Sequence, residues 1–348
     1  MNSRERMLAA IRHQVPDRLP VSVICIDDPN PIAAHLGIPP GEVSARLGID
    51  GWPFAAWQYT GTLPPSRDGQ RVDEWGASAF NEYGAGHVYP LAAAESVAEV
   101  ERYPWPDPAQ YDFVAAAEQA RQVGGAIALR GPYWRPVFCQ ACALFGMEEA
   151  MVKMLTAPAV FEAALERITA HTEAYCERFL DACGDALAIF CLGDDFATQR
   201  GLMLAPDAWR RFLKPRYARL FALGRKRGKP VWFHSCADVT AVLPDLIDIG
   251  MNVWETVQLH TLPVRAEVLK REYGKHLTFF GGINTQRLPF ASVSEVHDET
   301  IRCIEALGAG GGYVCGPDHH IKPDVPPANT VALFDAATSF RKPGYTRA

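Results

Sequence analysis

The sequence predicts an α/β fold, a (β/α)8 TIM barrel with an irregular N-terminal cap, from three observations. From about residue 112 the chain alternates apolar segments with amphipathic helical segments, which is the pattern of a parallel sheet. The apolar segments are continuous runs rather than alternating ones, so both faces of the sheet are expected to be buried. Seven or eight such units in a chain of 348 residues favour a closed barrel over an open sheet.

The individual elements follow from local signals. Asn2 or Ser3 is expected to cap a helix in RERMLAAIRH, with Glu5 in its first turn, and RLPVSVICI is typical of a buried strand. Later strands are predicted in GAIALRGP, ALAIFCLGDD, PVWFHSC, MNVWETVQ, LTFFGGI and GGYVCGP. The helices between and after them are predicted in FVAAAEQARQV, GMEEAMVKMLTAP, PAVFEAALERITAHTEAYCERFLDAC, APDAWRRFLKPRYARLFALGRKRG, VTAVLPDLIDIG, LPVRAEVLKREYG, SVSEVHDETIRCIEALG and PPANTVALFDAATSF.

Residues 27–110 break this regular rhythm. They are irregular, rich in Pro, Gly and Trp, and too long for a simple loop. We expect one domain spanning 1–348, in which 27–110 forms a cap over the mouth of the barrel.

Composition and charge narrow the class of protein. The net charge is −6 and the chain has no block of Lys and Arg, so nucleic acid and anionic membranes are not expected partners. No apolar stretch has the length of a membrane span, and the N-terminus lacks the features of a signal peptide. A cytoplasmic location follows as an expectation, in which the nine cysteines stay reduced.

Polar residues gather where the predicted strands end. Asp194 and Asp195 follow one strand, His234 and Cys236 the next, and Glu255 and Asn284 the two after that. The last strand contains Cys315 and is followed by a group of three residues, Asp318, His319 and His320. Because the active sites of such barrels lie at the carboxyl ends of the strands, these groups are expected to converge on one mouth.

His234, Cys236 and Cys315 have the chemistry of a metal site. Zinc accepts His nitrogen and Cys thiolate, and catalytic zinc keeps three protein ligands and one open position. Glu255 could fill the fourth position until substrate arrives. Two thiolates cancel the charge of Zn²⁺, so such a centre suits activation of a substrate thiol better than polarisation of a carbonyl. The alternative, that His234 and the cysteines are buried packing residues, stays open at this stage.

Cys139 and Cys142 form a CxxC in FCQACALFG. A redox pair or a second metal site would need a thioredoxin-like strand context or a second CxxC, and the sequence shows neither. We therefore expect the two residues to lie one turn apart on a helix that faces the interior.

Several segments resemble the uroporphyrinogen decarboxylase superfamily. They are SRERMLAAIRHQVPDRLPV, GDDFATQRGLMLAPDAWRRFLKPRYARLF, FFGGINTQ and GGGYVCGPDHHIKPDVPPANTVALFDA. The resemblance implies a (β/α)8 barrel with its cleft at the carboxyl ends of the strands. True decarboxylases carry an arginine-rich segment of the RQAGR type, where this chain has VICIDDPNPIAAHLG. This departure argues against decarboxylation of porphyrinogens.

The other branch of the superfamily comprises zinc-dependent methyltransferases of corrinoid systems. Its members are similar to this chain in a His-x-Cys motif and a distant Cys, which implies that His234, Cys236 and Cys315 hold Zn²⁺. The family usually has Gly after this motif, where this chain has Ala237. As catalytic residues we expect Asp194 and His319, which would orient the substrate, and Glu255, which would be a displaceable fourth ligand or a base beside the metal. Asn284 and Gln199 are the expected cofactor-binding residues.

The expected reaction moves a methyl group between a methyl-corrinoid and a zinc-activated thiol or related small molecule. The chain lacks an Asp-x-His-x-x-Gly motif, so methylcobalamin would arrive free or on a corrinoid protein. Relatives often form dimers, which makes a homodimer compatible with the resemblance. A metal-independent decarboxylase of a porphyrinogen or other polycarboxylate, using Asp194 and His319, is the second reading. A non-catalytic corrinoid- or metal-binding protein is the third.

Overall fold

A parallel sheet lies at the centre of the molecule. The computed structural model describes residues 1–53, 58–66, 69, 71–78, 87–123 and 125–345. The strands within these ranges are β1 (Gly51–Pro53), β2 (Gln58–Tyr59), β3 (Tyr111–Asp112), β4 (Ala128–Trp134), β5 (Ile189–Gly193), β6 (Ala197–Thr198), β7 (Gly201–Leu202), β8 (Val231–His234), β9 (Val253–Val257), β10 (Thr278–Ile283) and β11 (Tyr313–Pro317).

The sheet closes into a barrel. Seven parallel strands pair in the order β1-β4-β5-β8-β9-β10-β11. Between the two outer strands lies the segment around Val21, which forms a parallel bridge with Cys315 in β11. Its carbonyl accepts a hydrogen bond from the Asp50 amide, 2.8 Å away, just before β1. The ring therefore has eight strand positions, and the predicted TIM barrel is confirmed.

Helices surround this sheet. The α-helices of the described residues are α1 (Ser3–Ile11), α2 (Asn30–Leu36), α3 (Val43–Arg46), α4 (Val97–Arg102), α5 (Val114–Val123), α6 (Phe138–Phe145), α7 (Met147–Thr156), α8 (Pro158–Cys183), α9 (Pro206–Phe212), α10 (Lys214–Lys226), α11 (Leu243–Asp248), α12 (Ala266–Tyr273), α13 (Val293–Leu307) and α14 (Pro327–Ser339). Short 3₁₀ helices cover Pro40–Glu42, Pro108–Gln110, Gly184–Ala186, Thr240–Val242 and Leu259–Thr261. None of the described helices is both long enough and apolar enough to cross a bilayer.

The long helix predicted over 205–228 was wrong as a single element. It is two helices, α9 and α10, that meet at Leu213, whose φ of −107° departs from helical values. Pro215 lies in the first turn of α10. Proline has no N–H for the preceding turn and its ring clashes with that turn, so the helix ends and a new one begins.

Two further boundaries differ from the prediction. The segment RLPVSVICI makes isolated parallel bridges at Val21 and Ile26 instead of a continuous strand. The range 27–110 contains β1, which pairs in parallel with β4 and so belongs to the barrel. The positions 54–57, 67–68, 70 and 79–86 of the predicted cap lie outside the described residues.

The amino-terminal helix closes one end of the barrel. Asn2 caps α1 as predicted, since its side chain accepts from the Glu5 amide at 2.8 Å and the Glu5 carboxylate accepts from the Asn2 amide at 3.0 Å. Met7 and Ile11 of this helix join an apolar cluster inside the barrel with Ala128, Ala188, Ile189, Trp232, Val253, Phe280 and Val314. Burying a side chain such as Met7 contributes roughly 1.5–3 kcal/mol to stability. Because this apolar cluster fills one end of the barrel interior, polar side chains are expected at the other end, where the strands terminate.

Candidate metal centre at the carboxyl ends of the strands

Three predicted site residues come together at the barrel mouth. His234 is the last residue of β8, Cys236 follows two positions later, and His319 lies just after β11. One ligand atom from each of the three lies within 4.8 Å of the other two. His234 Nε2 is 3.3 Å from Cys236 Sγ. Imidazole nitrogen and thiolate sulfur are preferred ligands of zinc, so this group is a candidate metal centre.

The Glu255 carboxylate lies next to the Nδ1 side of the His234 imidazole. It lies opposite His234 in the pairing of β8 with β9, and its Oε2 is 3.8 Å from His234 Nδ1. The same carboxylate accepts from Trp232 Nε1 at 2.5 Å and from Arg130 Nη1 at 2.9 Å. Glu255 is therefore occupied on both oxygens and lies on the Nδ1 side of the imidazole, which leaves Nε2 towards Cys236.

The charges around this group bias its protonation. Burial opposes ionisation of Glu255, but Arg130 and His234 outweigh it and lower the pKa of Glu255 to about 2. Burial disfavours the charged form of His234, but Cys236, Glu255 and Asp195 together raise the pKa of His234 well above its ordinary value. Burial, with the nearby His234 and His320, lowers the pKa of His319 to about 4, so that imidazole is neutral at neutral pH.

Cys315 does not join the group. Val314, its neighbour in β11, lies in the apolar cluster inside the barrel. Because successive side chains of a strand point to opposite faces, Cys315 faces outward, and it packs in the core between sheet and helices. Burial raises the pKa of its thiol to about 12, which keeps it protonated. The structure therefore places His319, not Cys315, beside the His-x-Cys pair.

Asp194 supports a helix end. This fully buried carboxylate accepts from the amides of Val137, Phe138 and Cys139 at 3.0, 2.6 and 2.7 Å. It also accepts from the Tyr217 hydroxyl at 2.8 Å. These amides open helix α6, which has no side-chain cap of its own. A carboxylate at a helix N-terminus satisfies the free N–H groups and the helix dipole. These contacts leave Asp194 no free side towards a substrate.

Replacement of Asp194 by alanine is expected to lower the free energy of unfolding by at least about 3 kcal/mol, because three buried amides lose a charged acceptor. Urea unfolding measures this loss. Tyr217→Phe, which removes one of the four contacts, should cost about 1 kcal/mol. Unchanged stability in Asp194→Ala together with lost activity would instead restore the predicted catalytic role.

Asp195 is the carboxylate that faces the site. Its Oδ1 accepts from the Cys236 amide at 2.7 Å and lies 4.0 Å from His234 Nε2. The sequence gives two adjacent aspartates after β5, and the alternation of side-chain direction decides which one is inward. Because Gly193 at the end of β5 pairs with His234, the residues that follow β5, including Asp195, lie beside the candidate metal centre.

Asn284 and Gln199 lie in turns. Asn284 Oδ1 accepts from the Gln286 amide at 2.9 Å, and the Asn284 amide donates to Glu299 Oε1 at 2.9 Å. Gln199 is exposed in the turn between β6 and β7. The cofactor-binding role predicted for both residues stays a prediction.

Gln258 is a site residue that the sequence analysis missed. Its Oε1 accepts from the amide of Ala237 at 2.8 Å. Ala237 has a φ of +69°, the left-handed region in which glycine has no steric penalty. This geometry favours glycine at position 237, and the hydrogen bond to Gln258 stabilises the turn with alanine in that place. The signal in sequence was the departure at Ala237 itself.

The Trp134 ring packs against one side of the His234 imidazole. The two rings pack edge to face with centroids 4.6 Å apart. This contact requires glycine at 193, because a Cβ there would lie 2.2 Å from the Trp134 ring and 3.0 Å from His234 Cβ.

Gly193→Ala is therefore expected to displace Trp134, lower stability by about 1–3 kcal/mol and weaken metal binding. Urea unfolding and a metal titration of the purified variant measure both effects. Gly41→Ala is the matched control, since a Cβ at Gly41 meets nothing within 4 Å. Metal affinity equal to wild type in Gly193→Ala would show that the Trp134 contact is dispensable.

The CxxC cysteines both lie on helix α6, as predicted. Cys139 Sγ accepts from the Asp195 amide at 3.2 Å and lies 3.4 Å from the Asp195 carbonyl oxygen, to which it donates. Burial raises the pKa of both thiols well above its ordinary value. Protonated thiols are poor nucleophiles and poor metal ligands, so Cys139 acts here as a brace for the Asp195 loop.

Comparison with known proteins identifies the family. The family model of uroporphyrinogen decarboxylase (URO-D) matches residues 80–340. The chain belongs to the uroporphyrinogen decarboxylase family. A solved structure of a methyltransferase from Methanosarcina mazei is similar over 97% of this chain and 98% of that chain, with a TM-score of 0.64 and 20% identity. At this identity the likeness supports the barrel fold. No curated protein matches the chain significantly.

Proposed function

We propose that this member of the uroporphyrinogen decarboxylase family is a zinc-dependent methyltransferase. It would move a methyl group between a methyl-corrinoid and a small thiol, with His234, Cys236 and His319 as the metal ligands. One observation carries the proposal, the convergence of these three donor atoms within 4.8 Å. The methyltransferase from Methanosarcina mazei, whose fold this chain shares, supports the type of reaction.

The donor set fits zinc. Two ligands of one tetrahedral zinc, with bonds of about 2.0 Å to nitrogen and 2.3 Å to sulfur, lie about 3.5 Å apart. His234 Nε2 and Cys236 Sγ are 3.3 Å apart. The carboxylate of Glu255 stands on the Nδ1 side of His234, which is the usual support of a metal-binding histidine. When bound, zinc would supply the positive charge that keeps a substrate thiol deprotonated at neutral pH.

The charge of this ligand set favours an anionic substrate. One thiolate and two neutral imidazoles leave a divalent ion with one positive charge, whereas the set predicted from sequence would leave none. A thiolate substrate neutralises that charge. Asp195, at 4.0 Å from His234 Nε2, lies where it can accept the proton that a thiol releases. With a methyl-corrinoid as the methyl-donating substrate, the thiolate sulfur would bond to the methyl carbon as the carbon–cobalt bond breaks, and the electron pair of that bond would remain on cobalt.

The protein's own residues partly enclose this centre, since Cys236 and His319 are half-buried. His234 is buried and Cys236 is half-buried, with Trp134 against the imidazole. The Cys236 amide is held by Asp195, and the next amide is held by Gln258. These contacts fix the backbone on both sides of the sulfur, so the donor atoms are positioned before a ligand arrives.

The decarboxylase reading finds less support in the same residues. A polycarboxylate substrate requires free cationic groups, and Arg130, a buried arginine in the barrel interior, is paired with Glu255 at 2.9 Å. Asp194, the acid assigned in that reading, is bound to helix α6.

The test is methyl transfer from methylcobalamin to a panel of small thiols, including 2-mercaptoethanesulfonate. Loss of the methyl–cobalt absorbance is followed with zinc-loaded wild type, zinc-loaded His319→Ala and metal-depleted wild type. We expect turnover in zinc-loaded wild type alone. Equal turnover in all three samples would overturn the zinc assignment. Release of CO₂ from uroporphyrinogen by metal-depleted protein would favour the decarboxylase instead.

A further inference from the structure

A second group of metal-ligand residues lies beside the first. One ligand atom from each of Cys25, Asp27 and His320 lies within 4.8 Å of the other two. Cys25 and Asp27 are exposed and His320 is half-buried, so an ion can reach them from solvent. None of the three belongs to the metal centre proposed above.

The backbone holds this group in place. Ile26 forms a parallel bridge with Ile321. The Ile321 amide donates to the Cys25 carbonyl at 2.9 Å, and the Asp27 amide donates to the Ile321 carbonyl at 3.0 Å. Cys25 and Asp27 flank the bridged Ile26, and their ligand atoms lie within 4.8 Å of each other. His320 immediately precedes Ile321, whose backbone makes the hydrogen bonds to Cys25 and Asp27.

We propose that Cys25, Asp27 and His320 bind a second divalent metal ion, with zinc as the best match. Thiolate sulfur, carboxylate oxygen and imidazole nitrogen are all zinc ligands, and three protein ligands leave the fourth position open. The thiolate and the carboxylate together balance the charge of a divalent ion. Asp27 Oδ1 already lies 3.1 Å from His320 Nδ1, so small shifts would admit the ion between them.

Lys322 tunes this site. Its ammonium lies 3.2 Å from Asp27 Oδ2, the oxygen that faces away from His320. Lys322 can keep this contact while Oδ1 binds the ion, but its positive charge opposes a cation nearby. Removal of that charge should tighten metal binding roughly three- to tenfold. A simple hydrogen-bonded cluster would predict no such gain.

The two centres share one rim of the barrel. His319 belongs to the first and His320 to the second, with ring centroids 4.7 Å apart. His234 and His319 are 6.1 Å apart by the same measure. A ligand with two donor groups, such as a thiol that also carries an anionic group, could therefore contact both open positions.

The experiment is a titration of metal-depleted full-length protein with Co²⁺ and then Zn²⁺. Thiolate-to-cobalt absorption reports each centre, because each contains one cysteine. Wild type should bind two equivalents, and Cys25→Ser, Asp27→Asn and Cys236→Ala should each bind one. Cys142→Ser, which alters a cysteine outside both groups, should bind two. In the Cys236→Ala background, Lys322→Met should bind the remaining ion more tightly.

Two results would overturn the second site. One is a single equivalent in wild type that Cys25→Ser retains in full. The other is two equivalents in wild type that Cys25→Ser and Asp27→Asn both retain. Loss of one equivalent in Cys25→Ser but none in Cys236→Ala would uphold this site and overturn the proposed first centre, so the two proposals fail separately.

Discussion

Cys236→Ala is expected to lose the metal of the first centre and to reduce methyl transfer by more than about 100-fold. Cys236 supplies the only thiolate among His234, Cys236 and His319, and its sulfur lies 3.3 Å from His234 Nε2. Without it, two imidazoles remain, which bind zinc weakly. Inductively coupled plasma mass spectrometry on protein purified without added metal measures the loss of one equivalent.

Cys315→Ala is the matched control. The thiol of Cys315 packs in the core outside the barrel lumen, so the variant should keep its metal and its activity. It should lose about 1 kcal/mol of stability from the small cavity. If Cys315→Ala loses the metal and His319→Ala keeps it, the ligand set inferred from the structure is incorrect and the set predicted from sequence stands.

Arg130→Met is expected to lower the free energy of unfolding by about 3–5 kcal/mol, because it leaves the buried Glu255 carboxylate without its guanidinium partner. Arg130 and Glu255 are both almost fully buried, and the guanidinium also lies over the Trp232 ring at 4.6 Å. Urea unfolding measures the loss. Arg130→Met combined with Glu255→Gln should recover part of it, since no uncompensated charge remains.

An exposed pair provides the comparison. Arg46 and Asp335 lie 3.0 Å apart with both side chains about half exposed. Arg46→Met should change stability by less than about 1 kcal/mol. An equal effect of Arg46→Met and Arg130→Met would contradict the central role of the buried pair.

The same buried pair makes stability depend on pH. The pKa of Glu255 falls from an ordinary 4.5 to about 2 in the folded protein. A lowered carboxyl pKa contributes stability that is fully present above pH 4.5 and is lost as the pH falls towards 2. The difference in urea unfolding midpoint between wild type and Arg130→Met should therefore be smaller at pH 3 than at pH 5. A constant difference would contradict the assignment of this shift to Arg130.

The local pattern of the chain was sufficient for the barrel. Apolar runs such as VWF before His234 and TFFGGI in β10 cannot face water on either side, and the helices between them carry one apolar face. The His-x-Cys pair could also be predicted as a site, since it ends a buried strand. The helix break next to Pro215 was also predictable from the sequence, because a proline within a helical pattern ends or interrupts the helix.

Which residues meet at the mouth depended on the tertiary structure. Cys315 lies in β11 and His319 lies just after it, so both were candidates from the sequence. Only the pairing and packing of β11 in the barrel show that the Val314 side chain points inward and the Cys315 side chain points outward. Likewise, two adjacent aspartates separate into one that caps α6 and one that faces Cys236. A shift of one residue reverses the direction of a side chain, and sequence spacing does not define direction to one residue near a strand end.

The sequence by itself therefore determined the architecture and the neighbourhood of the site, because burial periodicity is a property of each segment alone. The ligand set, the role of Glu255 as the partner of Arg130 and the second group at Cys25, Asp27 and His320 were decided by the closed ring. Contacts between residues as far apart in sequence as Arg130 and Glu255, or Asp27 and His320, exist only when the strands close into a ring. The distances between their charged groups follow from that closure.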